Sequence, residues 1–168
     1  MNEILSLNAH ALSDKIAAGY VSASDVVQAT LKQIAAENPN VNAIVSLRDE
    51  DALLAEAAAA DSAPRKGWLH GIPVAVKDLA NVAGLPTSMG SPALKGRIAA
   101  KSDLVVQRMQ DAGAIVIGKT NTPEFGLGSH TYNPVFGATE NAYVAGRSAG
   151  GSSGGAAVAL AKNMVCVA

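Results

Sequence analysis

The feature that most limits what this chain can fold into is an alternation that begins near residue 64, where short apolar runs are separated by stretches with helical spacing. Gly71-Ile72-Pro73-Val74-Ala75-Val76 and Ala114-Ile115-Val116-Ile117 read as strands, and Met164-Val165-Cys166-Val167-Ala168 as a third. Strands with no polar face belong to sheets covered on both sides. Pro73 lies near the start of its run, where a missing N–H is tolerated. Between the runs, Ser102 is placed to cap a helix through Leu104, Val105, Met109 and Ala112 to Gly113, and a second helix is expected from Ser153 to Asn163. Strand and helix taking turns in this way predict an α/β fold with a parallel or mixed sheet.

The chain ahead of this alternation reads as helical scaffold. Ile4, Leu7, Ala11, Leu12 and Ile16 fall at helical intervals before Gly19, a C-terminal cap. Ser22 and Asp25 have capping-box spacing, and the stripe Val27, Leu31, Ile34 is expected to end at Asn38-Pro39. A short strand over Val41 to Leu47 and an alanine-rich helix over Asp49 to Ala60 follow. No ionisable group here has an evident chemical partner. The expected organisation is a helical region over residues 1–63 followed by an alternating α/β region over residues 64–168.

Composition narrows the function classes. With 49 % apolar and 16 % charged residues, and 13 basic against 14 acidic side chains, disorder is disfavoured and no basic footprint for nucleic acid is present. The single cysteine, Cys166, cannot close an intrachain disulfide, no Cys/His cluster has metal-ligand spacing, and no metal is expected. The first ten residues carry Glu3 and no basic region before an apolar run, and no run of 18 apolar residues occurs. A cytoplasmic protein without membrane partners is expected. The apolar finish at Met164 to Ala168 is unusual, because domains commonly end on a polar tail.

Chemistry is concentrated in Gly146-Arg147-Ser148-Ala149-Gly150-Gly151-Ser152-Ser153-Gly154-Gly155, directly ahead of an apolar helix. Glycines let the backbone approach a ligand and present N–H groups to an anion or a developing oxyanion. A phosphate loop would need Lys and then Ser or Thr after the glycines, which are missing. Gly-x-Ser-x-Gly occurs twice, centred on Ser152 and on Ser153, but the acidic residue and histidine of a nucleophile elbow do not follow within Ala156–Ala168, so that reading fails unless the chain is incomplete. If histidine is not the base, the other candidate is a lysine. Lys77 closes an otherwise apolar strand, and its pKa must fall by roughly three units from about 10.4 for it to act near pH 7. Spacing alone favours the plainer reading, a surface lysine at a strand end paired with Asp78.

Together these residues resemble the amidase signature family. The resemblance runs over about 64–168, in order: Val76-Lys77-Asp78, Gly84-Leu85-Pro86-Thr87-Ser88, Gly118-Lys119-Thr120-Asn121-Thr122-Pro123-Glu124-Phe125, Asn133-Pro134-Val135-Phe136-Gly137, and the Gly150–Gly155 loop. It implies an α/β/α sandwich with a mixed, largely parallel sheet, incomplete in this chain, and a Ser-Ser-Lys triad that hydrolyses amide bonds without a cofactor. By resemblance Lys77 is the base and Ser152 the bridging serine, preceded by a cis peptide bond. Gly150, Gly151, Ser153 and Gly154 brace the loop, and Gly126, Leu127 and Gly128 border the acyl pocket. Lys119 and Glu124 are expected to serve loop architecture, and His130 to be exposed or structural.

The resemblance also implies an absence. The nucleophilic serine of the family lies a little over twenty residues beyond the bridging serine, past Ala168, so the chain is expected to be an inactive fragment with the family's amidase function. Relatives commonly carry Arg-Asn-Pro and then Asp-Pro where this chain has Glu140-Asn141-Ala142-Tyr143-Val144-Ala145. Two other readings stand beside the leading one: an amidotransferase A-subunit-like glutaminase with partner subunits, and a non-catalytic truncated or binding module. The expected partners are a small-molecule amide and, for the assembly, a second copy or those subunits.

Overall fold

The computed structural model describes residues 3–168. A one-turn 3-10 helix at Glu3–Ser6 precedes helix α1 at Ala9–Ala17. The single helix expected from Ile4 is thus divided, because the Asn8 side chain accepts the Ala11 N–H and starts a new helix there. Helix α2, Ala23–Val41, opens on the capping box that the Ser22/Asp25 spacing predicts. A second carboxylate caps it from afar: Asp61 accepts the N–H groups of Ala23 and Ser24.

Helix α2 runs through Pro39 instead of stopping before it. Pro39 lies in the last turn, where the lost N–H costs a single intrahelical bond. The helix closes at Asn42, in the left-handed conformation at φ 50°. Asn38 orders the exit, its Oδ1 accepting from Ala43 and Ile44 N–H while its Nδ2 donates to the Ile44 carbonyl.

Strand β1 (Ile44–Leu47) and helix α3 (Glu50–Ser62) follow, the latter capped by Asp49. Then come strand β2 (Pro73–Lys77), helix α4 (Leu104–Asp111), strand β3 (Ile115–Thr120), the two-residue strands β4 (Tyr132–Asn133) and β5 (Gly137–Ala138), and helix α5 (Gly154–Ala161). Asp103, not Ser102, occupies the N-cap of α4. The Ser102 hydroxyl accepts the Ala83 N–H instead, tying down the preceding loop.

The main sheet has the order β1-β3-β2, with β3 antiparallel to β1 and parallel to β2. It is a mixed sheet, and alternate residues of its strands enter two different cores. Ala75, Ile115 and Ile117 pack with Val27, Leu53 and Val158, from α2, α3 and α5. Val74, Val76 and Val116 pack with Leu12, Val26 and Val106, from α1, α2 and α4. Helices therefore cover both faces, which gives the α/β/α layering of an incomplete α/β fold. Gly118 permits the close, irregular pairing of β1 with β3, since a Cβ there would overlap the Ser46 carbonyl oxygen.

The expected third apolar strand does not form. Met164 and Val165 are buried, but the segment from Met164 to Ala168 makes one bond to β2, from the Ala75 N–H to the Val167 carbonyl at 3.2 Å. A strand ladder needs successive bonds of this kind.

Candidate active site

Lys77 is the last residue of β2, so its backbone is held by the central strand while its side chain emerges at the sheet's end. Its Nζ lies 2.9 Å from Ser152 Oγ and 2.9 Å from Ser153 Oγ. Residues 75 positions apart are thereby brought into direct contact. Burial pushes the Lys77 pKa below the ordinary lysine range. The pairing of Lys77 with Asp78 that spacing permitted is not formed. Consecutive strand residues point to opposite faces, and Asp78 turns to Lys119 instead, Oδ1 to Nζ 3.5 Å.

The serine loop is stretched between β5 and α5 and is held from beneath by Thr131. This fully buried residue donates its hydroxyl to the Gly150 carbonyl at 2.6 Å and accepts the Gly154 N–H at 3.0 Å. The two bonds bracket Gly151-Ser152-Ser153. The Gly151–Ser152 peptide is cis. A Cβ on Gly151 would overlap the His130 carbonyl oxygen, so only glycine lets the loop lie this close to the 129–131 segment.

Thr131 rests on a deeper polar layer. Its carbonyl accepts the Thr139 N–H, and the Thr139 carbonyl accepts the Ala149 N–H at the entrance to the loop. Asn121 Nδ2 donates to Thr139 Oγ1, and Asn133 Nδ2 donates to Asn121 Oδ1. Thr131, Thr139 and Asn121 have no exposed surface. Sequence reading missed these supports. The available signal was the density of Thr and Asn in a long irregular stretch, since buried polar groups must find partners.

Residues 140–148 close on themselves. Glu140 Oε2 accepts the Gly146 N–H, Asn141 Oδ1 accepts the N–H groups of Tyr143 and Val144, and Glu140 bridges to Ser148. Glu140 and Asn141 therefore hold this turn together.

Gly126 and Leu127 lie beside an open groove walled by Phe125, Leu127, His130 and Tyr132. The imidazole of His130 stacks on the Tyr132 ring at 3.9 Å between centroids. A Cβ on Gly126 would meet the Leu79 side chain, two residues after Lys77, and His130 also touches Gly151, so the groove adjoins the lysine–serine contact. Gly128 has φ +123° and lies against the His130 ring. Lys119 is buried on β3 and Glu124 stands in a 3-10 turn at the groove's rim. Among the described residues, no cluster of three or more His, Cys, Asp or Glu side chains is placed to hold a metal, and no helix is long and apolar enough to cross a membrane.

The arrangement pairs a lysine of lowered basicity with a serine hydroxyl in a loop braced by buried hydrogen bonds. That constellation suits proton transfer through a hydroxyl. Comparison with known proteins agrees in kind. The family model described as Amidase matches residues 25–168. The A-subunit of the glutamyl-tRNA(Gln) amidotransferase from Acidothermus cellulolyticus is 42 % identical over 165 residues, 96 % of this chain and 32 % of that protein. The acylamidase of Rhodococcus erythropolis is 38 % identical, over 94 % of this chain and 34 % of its own length. Among solved structures, 6-aminohexanoate cyclic dimer hydrolase complexed with substrate superposes with a TM-score of 0.86 at 32 % identity, covering 96 % of this chain and 33 % of that one. The native peptide amidase from Stenotrophomonas maltophilia superposes with a TM-score of 0.84 at 35 % identity, over 94 % and 34 %. The chain spans about a third of the length of the curated relatives it matches.

Proposed function

We propose, on the premise that this chain belongs to the amidase family, that it supplies the base and the bridging serine of a serine hydrolase acting on carboxamides. The observation that carries this reading is the 2.9 Å contact between Lys77 Nζ, its pKa lowered by burial, and Ser152 Oγ. Neutral Lys77 takes the proton of Ser152 as Ser152 takes that of an attacking serine, whose oxygen bonds to the amide carbonyl carbon. The carbon–nitrogen bond then breaks, and the proton returns through Ser152 to the departing ammonia or amine. Water reverses the relay and releases the acid. The attacking serine and the oxyanion donors are assigned to sequence beyond Ala168, while Gly150, Gly151, Ser153 and Gly154 keep the bridging hydroxyl in place. No cofactor enters this scheme.

The test is ammonia release from a panel of carboxamides by the gene product that contains residues 1–168. Lys77→Met and Ser152→Ala are each expected to lower kcat/KM by roughly 10²–10⁴-fold, the usual contribution of a positioned proton-transfer group. Full activity in Lys77→Met would refute the assignment. Ser153→Ala separates the two hydroxyls that Lys77 touches and is expected to cost less than Ser152→Ala.

The 42 % identity to an amidotransferase A-subunit favours one further reading, that glutamine is the amide hydrolysed and that partner subunits receive the ammonia. Glutaminase activity that appears only with such subunits would support it. Turnover of simple amides by an unaccompanied monomer or homodimer would remove it. The single free thiol of Cys166 suits a reducing compartment, and we place the protein in the cytoplasm.

A further inference from the structure

Behind the lysine–serine contact lies an ion pair that the proposed chemistry does not use. Asp78 and Lys119 have fully buried side chains. Lys119 Nζ donates to the Ala80 carbonyl at 2.6 Å and to Thr87 Oγ1 at 3.2 Å, and stands 3.5 Å from Asp78 Oδ1. Asp78 Oδ2 accepts the Ser88 hydroxyl at 2.7 Å and the Ser88 N–H at 3.2 Å. Three segments meet at this pair: the turn leaving β2, the 87–91 loop and β3.

The turn so gripped is the one that carries Lys77. The Ala80 N–H closes it by donating to the Lys77 carbonyl, and the Asp78 N–H bonds to the Thr120 carbonyl of β3. Lys119 then holds the same turn from below through the Ala80 carbonyl. The 87–91 loop is joined onward to the groove, because the Phe125 N–H donates to the Met89 carbonyl at 2.8 Å. A replacement of both charges by packed apolar groups is often neutral or stabilising, so a buried pair is weak evidence for a role in stability alone.

We propose that the Asp78–Lys119 pair is a positioning device: it fixes the turn after β2 so that Lys77 Nζ is held partly buried within reach of Ser152. The inference rests on the reading of Lys77 as the base. Asp78 and Lys119 touch no reacting atom and act only through the backbone of residues 77–80.

The test reads Lys77 directly, by NMR titration of the chain with isotopically labelled lysines, the Lys77 resonance being assigned with Lys77→Met. In the unaltered chain Lys77 is expected to titrate below the surface lysines. Titration together with them would overturn both the base reading and this proposal. In the double variant Asp78→Asn/Lys119→Met one charge of each sign is removed, so direct electrostatic effects on Lys77 largely cancel. Lys77 is then expected to rise toward the surface lysines by at least about half a unit as its turn relaxes into water. A double variant that melts cooperatively and leaves Lys77 unmoved would overturn the positioning role while leaving the base reading intact. If the double variant does not fold, Thr87→Val, which removes one acceptor of Lys119, is expected to give a smaller rise. No rise there overturns the proposal equally.

Discussion

Replacing Thr131 by valine removes one hydroxyl and keeps the side chain's shape, so its consequence can be worked from two hydrogen bonds. The hydroxyl donates to the Gly150 carbonyl and accepts the Gly154 N–H, and both Thr131 and Gly154 are buried. Leaving a buried polar group unpaired costs about 1–3 kcal/mol. Of the two partners, the Gly154 N–H sits at the start of α5 among buried neighbours, so it suffers the larger share, and together they amount to about 2–4 kcal/mol. For a chain of this size each kcal/mol lowers Tm by roughly 2–4 °C, which predicts a fall of roughly 5–15 °C. Circular-dichroism melts of Thr131→Val and Thr131→Ser form the assay. Serine keeps the hydroxyl and loses a methyl, so it is expected to fall by clearly less than valine. The same loop carries Ser152, and Thr131→Val is therefore also expected to lower amide turnover more than Thr131→Ser does. Equal melting temperatures for the two variants, or a valine variant within about 2 °C of the parent, a bound set by that same scaling, would refute the claim that Thr131 clamps the serine loop.

The remaining expectations concern the base, the nucleophile and a helix end. Since the proposed relay needs neutral Lys77 and burial lowers its pKa, amide hydrolysis should rise with pH and level off below the ordinary lysine value of 10.5, as a pH profile of kcat/KM will show. The 168-residue chain alone should not be labelled by a fluorophosphonate at Ser152 or Ser153, and mass-spectrometric detection of an adduct at either would overturn the placement of the nucleophile. Ser22→Ala removes the hydroxyl half of the α2 capping box, and urea denaturation should show a loss of about 0.5–2 kcal/mol.

The alternation after residue 64 was enough to recognise an α/β chain, because a strand buried on both faces leaves a local signature that its neighbours need not supply. β2 formed within two residues of its apolar run for that reason, and β3 began within one residue of its own and continued to Thr120. The Met164–Ala168 run carried the same signature and made no ladder, since a strand also needs a partner edge in register. Pro39 shows the complementary failure: a local breaker was overridden where Asn38 and Asn42 supplied the exit.

The site divides along the same line. Lys77, Ser152 and the surrounding glycines were legible in the sequence because each is unusual where it stands: a cation ending an apolar strand, and serines among glycines ahead of an apolar helix. Which neighbour Lys77 would choose was not legible from spacing alone. Strand alternation turns Asp78 to the opposite face, and the parallel pairing of β2 with β3 brings Lys119 there to meet it, leaving Lys77 to the serine loop. The supports at Thr131, Thr139 and Asn121 were hidden for a related reason. A threonine that clamps a glycine–serine loop and one that faces water have the same local sequence signature, and only the packed chain decides which hydroxyl is deprived of solvent and must find its partner inside.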